Sequence, residues 1–173
     1  MLKALGLAAA LALAAPLAVL AQAAGPSDAQ IAHIAYTAGA VDVAAGEQAL
    51  RKSRDKAVRA FAESMVRDHK AVNEQALALV KKLGVTPQDN PTSQALASGG
   101  ADKLKALAAL DGAAFDKAYM ANEIAYHRTV NDALASTLIP SARNGELKAL
   151  LQTGLKLFTE HQTHAEHLAD GRP

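Results

Sequence analysis

The stretch Phe61-Ala62-Glu63-Ser64-Met65-Val66-Arg67-Asp68-His69-Lys70 constrains the fold more than any other. It lies inside a long helical pattern. Stepping at about 100° per residue gathers Val58, Ala62, Met65, Val66, Val72, Ala76, Leu79 and Leu83 on one side. His69 points the same way. An imidazole on an apolar stripe must find a partner inside the fold. This pattern predicts a helix over about 55–83, stopped by Gly84.

Three further helices follow from the same period. The first runs over about 27–53, with Ser27 or Asp28 as N-cap after Pro26 and a stripe through Ile31, Ile34, Ala38, Val41, Ala45 and Ala49. Asp42 falls on that stripe, whereas Glu47 faces away and can pair with Arg51. Residues 85–110 differ in kind: Pro87, Asn90-Pro91 and Ser98-Gly99-Gly100 break the period, leaving one short helix over 101–110. A link of this length can cross a bundle and join two helices that run parallel. The third long helix covers about 112–138, with Asp111 as N-cap, Met120, Glu123, Ile124, His127, Val130 and Leu134 inward, and Pro140 as its stop. The last covers about 145–169, with Leu147, Gly154, Phe158, His161, His164 and Ala165 inward. The fold class expected is all-α, a four-helix bundle with a crossover between its second and third helices.

Not all of the chain belongs to that bundle. Met1-Leu2-Lys3, the apolar run Ala4 to Leu20 and the small residues Ala21-Gln22-Ala23 read as a secretory signal peptide over 1–23. The bundle is then one domain over 24–173, about 150 residues and enough for its own core. The run is Ala-rich and no basic stop-transfer flank follows, so no stable membrane span is expected after cleavage. The location expected is periplasmic or secreted. Absence of Cys excludes a lipoprotein anchor, disulfides and thiol chemistry. A net charge of +1 with interspersed signs, and aromatics at only 3%, argue against nucleic acid as a partner.

The informative residues are the ionisable ones that face inward. They are Asp42 on the first helix, His69 with Asp68 beside it on the second, Glu123 and His127 on the third, and His161 and His164 on the fourth. Glu123 and His127 are four apart and His161 and His164 three apart, so each pair shares a helix face. Imidazole and carboxylate together are ligands for Zn, Cu, Fe or Mn, and bundles build metal sites from facing helices. With a rise of about 1.5 Å per residue, His69 and His127 are level if their helices run parallel. By the same count Asp42 is level with Met65 or Val66, and His161 with Glu123. One site with some of these members is allowed, not one sphere holding all.

Several segments together resemble a known family. They are Ala60-Phe61-Ala62 with Met65-Val66-Arg67-Asp68-His69, Ser27-Asp28-Ala29, Gly39-Ala40-Val41-Asp42-Val43 before Gly46, Asp111 through Met120, and Glu160-His161. The chain is similar over nearly all of its mature length to bacterial exported proteins of domain of unknown function 4142, often labelled outer-membrane proteins. The resemblance implies a ferritin-like four-helix bundle and supplies no activity. A carboxylate di-iron site needs Glu-x-x-His on two helices. Here Glu123-x-x-x-His127 is one residue too long, and the last helix offers His-x-x-His.

Three functional readings follow from these residues. One is a non-enzymatic exported bundle that binds a transition metal in envelope metal handling or stress. Another is a structural or interaction module whose buried His–carboxylate network holds no metal. The third is a redox-metal oxidase or peroxide-handling enzyme. Tyr36, Val43 and Leu50 form a second apolar line where a homodimer or an envelope partner can dock.

Overall fold

The computed structural model describes residues 25–171, so the leader expected over 1–23 lies outside the described residues. Among these residues the regular elements are helices and no strand occurs. Helix α1 (Asp28–Lys52) starts at a reciprocal cap: Ser27 Oγ accepts from the Gln30 N–H, and the Gln30 side chain accepts from the Ser27 N–H. Asp28 has a different task. Its carboxylate accepts from the backbone N–H groups of Arg143 and Asn144 and ties the last turn of the bundle to the first. Helix α2 (Lys56–Lys82) is capped by Asp55 and ends at Leu83, where Gly84 takes φ +64°.

The link after α2 departs from expectation. It holds an 18-residue helix, α3 (Pro91–Ala108), rather than a short one over 101–110. Asn90 and Ser93 cap each other, and Pro91 sits where a missing N–H costs nothing. Gly99-Gly100 lies inside this helix and does not break it. Gly100 lets α3 approach α1: a Cβ there would stand 2.7–2.8 Å from both γ-methyls of Val41. Valine is stiff about χ1 and gives way poorly. Gly100→Ala is therefore expected to cost about 1 kcal/mol net, overpacking outweighing the gain in helix propensity. A fall in the urea midpoint checks this; a rise would mean that α3 moves off α1 freely.

Helix α4 (Gly112–Ala133) continues through a π-helical turn, Leu134–Leu138, into the short α5 (Ile139–Ser141). Pro140 therefore does not stop the helix where expected. The wide turn comes directly before it, where the proline ring crowds the preceding turn and no N–H is available. Asp111 sits at the N-cap position of α4 but makes no capping bond, and its carboxylate meets Lys52 Nζ at 2.8 Å. Helix α6 (Gly145–Ala169) is capped by Asn144.

Cross-links fix the directions. Asn90 Nδ2 donates to Gln30 O, Gln48 Nε2 to Leu104 O and Lys52 Nζ to Ala108 O, so α3 runs alongside α1 in the same sense. It carries the chain back to the end where α2 begins. Helices α2 and α4 are then parallel, as a crossover requires, while α6 runs against both through Arg128–Glu166 and Lys82–Glu146. Two apolar clusters fill the bundle. One is built on Phe61, Met65, Phe115 and Tyr119, the other on Ile31, Leu134, Leu138 and Leu151. Complete enclosure of a side chain such as Phe61 or Met65 is worth about 1.5–3 kcal/mol. Along the second apolar line Tyr36 is exposed, Val43 is half-buried and Leu50 packs against the first cluster. Among the described residues no helix is long and apolar enough to cross a membrane.

Candidate metal centre

Between the two apolar clusters lies a polar layer. Each long helix contributes to it because each carries an ionisable residue one helical repeat from its apolar anchors. Asp42 comes from α1, His69 from α2, Glu123 and His127 from α4, and His161 from α6. All five are buried; Glu123 is 0% and His161 6% exposed. The three imidazoles face one another, with ring centroids 5.4–5.6 Å apart. His69 is stacked on Phe158 at 4.5 Å and 9°.

The contacts within the layer are short and incomplete. Asp42 Oδ2 stands 2.7 Å from His69 Nε2 and 3.4 Å from His127 Nε2. The first contact is close but not aligned as a hydrogen bond. His127 Nδ1 lies 3.0 Å from Glu123 O, where it donates in the Nδ1–H tautomer. His161 Nε2 lies 3.1 Å from Asp68 Oδ2. The inward atoms Asp42 Oδ1 and Oδ2, His69 Nδ1 and Nε2, Glu123 Oε2, His127 Nε2 and His161 Nδ1 are buried without a hydrogen-bond partner. Buried polar atoms in a folded protein are normally satisfied. Within the layer the unsatisfied atoms belong to residues of metal-ligating type, although other buried atoms, among them Tyr119 Oη, Gln48 Oε1 and Asn131 Oδ1, are unsatisfied as well.

Two overlapping sets each place their ligand atoms within 4.8 Å of one another: His69, His127 and His161, and Asp42, Glu123 and His127. Ligand atoms on a tetrahedral ion with bonds of about 2.1 Å sit roughly 3.4 Å apart. The Asp42 Oδ2 to His127 Nε2 separation already has this value. The pair at 2.7 Å would open slightly. A donor set of three imidazoles and two carboxylates suits Zn, Cu, Fe or Ni better than Ca or Mg.

Electrostatics point the same way. Burial pushes the Asp42 carboxyl up, but the facing His69, and then His127, outweigh it and hold it well below the usual range. Burial, and then the Asp42 carboxylate, push Glu123 well above its ordinary value. The two carboxyls are thus shifted in opposite directions, which is what like charges do when forced together. Burial lowers His127, and burial with the neighbouring His69 lowers His161 to about 4. Neutral imidazoles are the form that binds metal.

Of the residues expected from sequence, Asp42, His69, Glu123, His127 and His161 meet. His69 and His127 are level, as the parallel helices require. Asp42 reaches His69 rather than Met65 or Val66, and His161 faces His127, which the residue count does not place at its level, rather than Glu123. Asp68 stands at the rim, its side chain 20% exposed, between His161 and Arg67. His164 lies outside the layer: it is exposed and meets the edge of Phe61, near the end of α6 where the stripe runs into solvent. Sequence reasoning missed Tyr119 and Phe158 as walls of the site. Tyr119 is fully buried with its hydroxyl unpartnered, and burial followed by Glu123 and Asp42 raises that hydroxyl's pKa. Its place four residues before Glu123, on the same stripe as His127, is a signal the sequence does contain.

No curated protein and no solved structure matches the chain. The family model described as Domain of unknown function (DUF4142) matches residues 14–168, nearly the whole chain, and the protein belongs to that family.

Proposed function

We propose that this chain is an exported helical-bundle protein that holds one transition-metal ion in its buried polar layer, in metal handling or stress defence of the cell envelope. The observation that carries this reading is the set of unpartnered ring nitrogens and carboxylate oxygens converging between two apolar clusters. His69, His127 and His161 supply nitrogen ligands, and Asp42 and Glu123 carboxylate oxygens. Export rests on the leader-like residues 1–23. A divalent ion would replace the proton that Glu123 keeps and give the layer's unpartnered atoms a partner.

Elemental analysis of mature protein purified without an affinity tag tests the reading. One equivalent of Zn, Cu, Ni, Mn or Fe is expected. At a metal concentration about a hundred times Kd, stabilisation should reach about 2.7 kcal/mol in a melt. No metal above background and no shift with any of the five ions would remove it. The 2.7 Å contact of His69 with Asp42 favours a second reading, a metal-free network that only specifies the bundle. In that case His127→Gln changes stability while no ion binds to either form.

A further inference from the structure

The rim of the polar layer has an arrangement that the ligands alone do not explain. Asp68 is on α2 next to His69, and its carboxylate lies at the rim of the layer and reaches across to α6. Oδ2 accepts from His161 Nε2 at 3.1 Å, and Oδ1 is held by Arg67 Nε at 2.8 Å. The other nitrogen of the same ring, His161 Nδ1, is buried and has no partner. His127 shows the same division with its nitrogens exchanged. Its Nδ1 is tied to Glu123 O, and its Nε2 is unpartnered and 3.4 Å from Asp42 Oδ2. Each of these two rings thus has one nitrogen held and the other buried and free. His69 differs: both its nitrogens lack aligned hydrogen bonds, and its ring is steadied by stacking on Phe158.

We infer that Asp68 is a positioning residue of the metal site rather than one of its ligands, and that it makes Nδ1 the ligating atom of His161. This rests on the metal reading above and deepens it. A carboxylate on the far nitrogen fixes the tautomer and orientation of a ligating imidazole and raises its basicity. Arg67 in turn fixes the carboxylate with two nitrogens, Nε and Nη2. An ion pair between neighbouring residues on an exposed face would need no third partner. The reach across from α2 to α6 is what marks this one.

A double-mutant cycle on the mature full-length chain, with zinc alone as probe and a chromogenic chelator as competitor, separates the roles. Asp68→Ala should weaken zinc about 10- to 100-fold. His161→Ala should weaken it more, and the double variant should match His161→Ala alone, because Asp68 acts only through that ring. Additive losses, or no loss with Asp68→Ala, overturn the inference. Asp68→Asn, which keeps a carbonyl acceptor, should recover part of the affinity; full loss there would point to direct ligation instead. Nitrogen-15 NMR of the metal-free imidazoles gives a readout that does not need zinc. His161 should carry its proton on Nε2, protected from exchange, and Asp68→Ala should abolish that protection. If the wild type takes no zinc but this signature holds, the metal reading falls and the positioning stands. A proton on Nδ1, or protection unchanged in Asp68→Ala, overturns the positioning itself.

Discussion

His69→Leu is expected to destabilise the metal-free bundle by about 1–3 kcal/mol, which is what leaving a buried polar group with no polar neighbour typically costs. Asp42 is 1% exposed, and its carboxylate is held ionised chiefly by the facing imidazole of His69 at 2.7 Å. Leucine keeps most of the volume against Phe158 but leaves that charge with nothing opposite except His127, at 3.4 Å. Packing alone predicts a smaller loss, since the replacement is apolar and of similar size. Two further variants separate charge from packing. His69→Gln keeps a donor and should lose less. Asp42→Ala combined with His69→Leu removes the stranded charge and should recover part of the loss. Urea denaturation at neutral pH in the presence of a chelator is the measurement. A loss below about 1 kcal/mol for His69→Leu, the size of an ordinary surface effect, would show that Asp42 does not depend on that ring.

Much of this arrangement is legible in the chain itself, for a specific reason. An ionisable residue on an apolar stripe has two ways out, a partner or a metal, so each of Asp42, His69, Glu123, His127 and His161 announces itself by its phase alone. The helices announce themselves by the same period, and the crossover by the length of the chain between α2 and α4. Other features depend on distances that phase does not carry. Gly99-Gly100 has the composition of a break, yet Gly100 is where α3 closes on Val41. The π turn before Pro140 is a local answer to a ring inside a continuing helix. His164 shares a face with His161, but the facing helix supplies Phe61 at that level instead of a ligand. Asp68 has the composition of a solvated surface acid, and only the approach of α6 reveals its contact with His161. Where neighbouring helices pack against a residue decides these cases, and that is a long-range property.

Without metal, stability is expected to depend on pH through two opposed contributions from the layer. On the acid side, His161 titrates at about 4 rather than 6.5, through burial first and then His69, and His127 is lowered as well. Between the folded and unfolded values the unfolded chain binds more protons, so stability rises with pH across that window. The contribution is complete above 6.5 and is lost as pH falls toward 4. For His161 it is about 2 kcal/mol, after discounting for its partly wet edge. Glu123 acts in the opposite sense. Its folded value lies well above 4.5, so the folded chain keeps a proton that the unfolded chain has released. That contribution declines as pH rises from 4.5 to the folded value. The histidines and Glu123 thus act in opposite senses, and removing one side unmasks the other. Asp42, held low, gives way only at more acid pH. Urea midpoints measured in chelator from pH 4.5 to 8.5 check this. Glu123→Gln should tilt the profile toward greater stability at high pH and His161→Gln should soften its acid side; a profile unchanged by both would exclude the layer as its source. Metal should offset the Glu123 contribution, because the ion takes the place of the proton that Glu123 otherwise has to keep, and its affinity grows as that proton leaves.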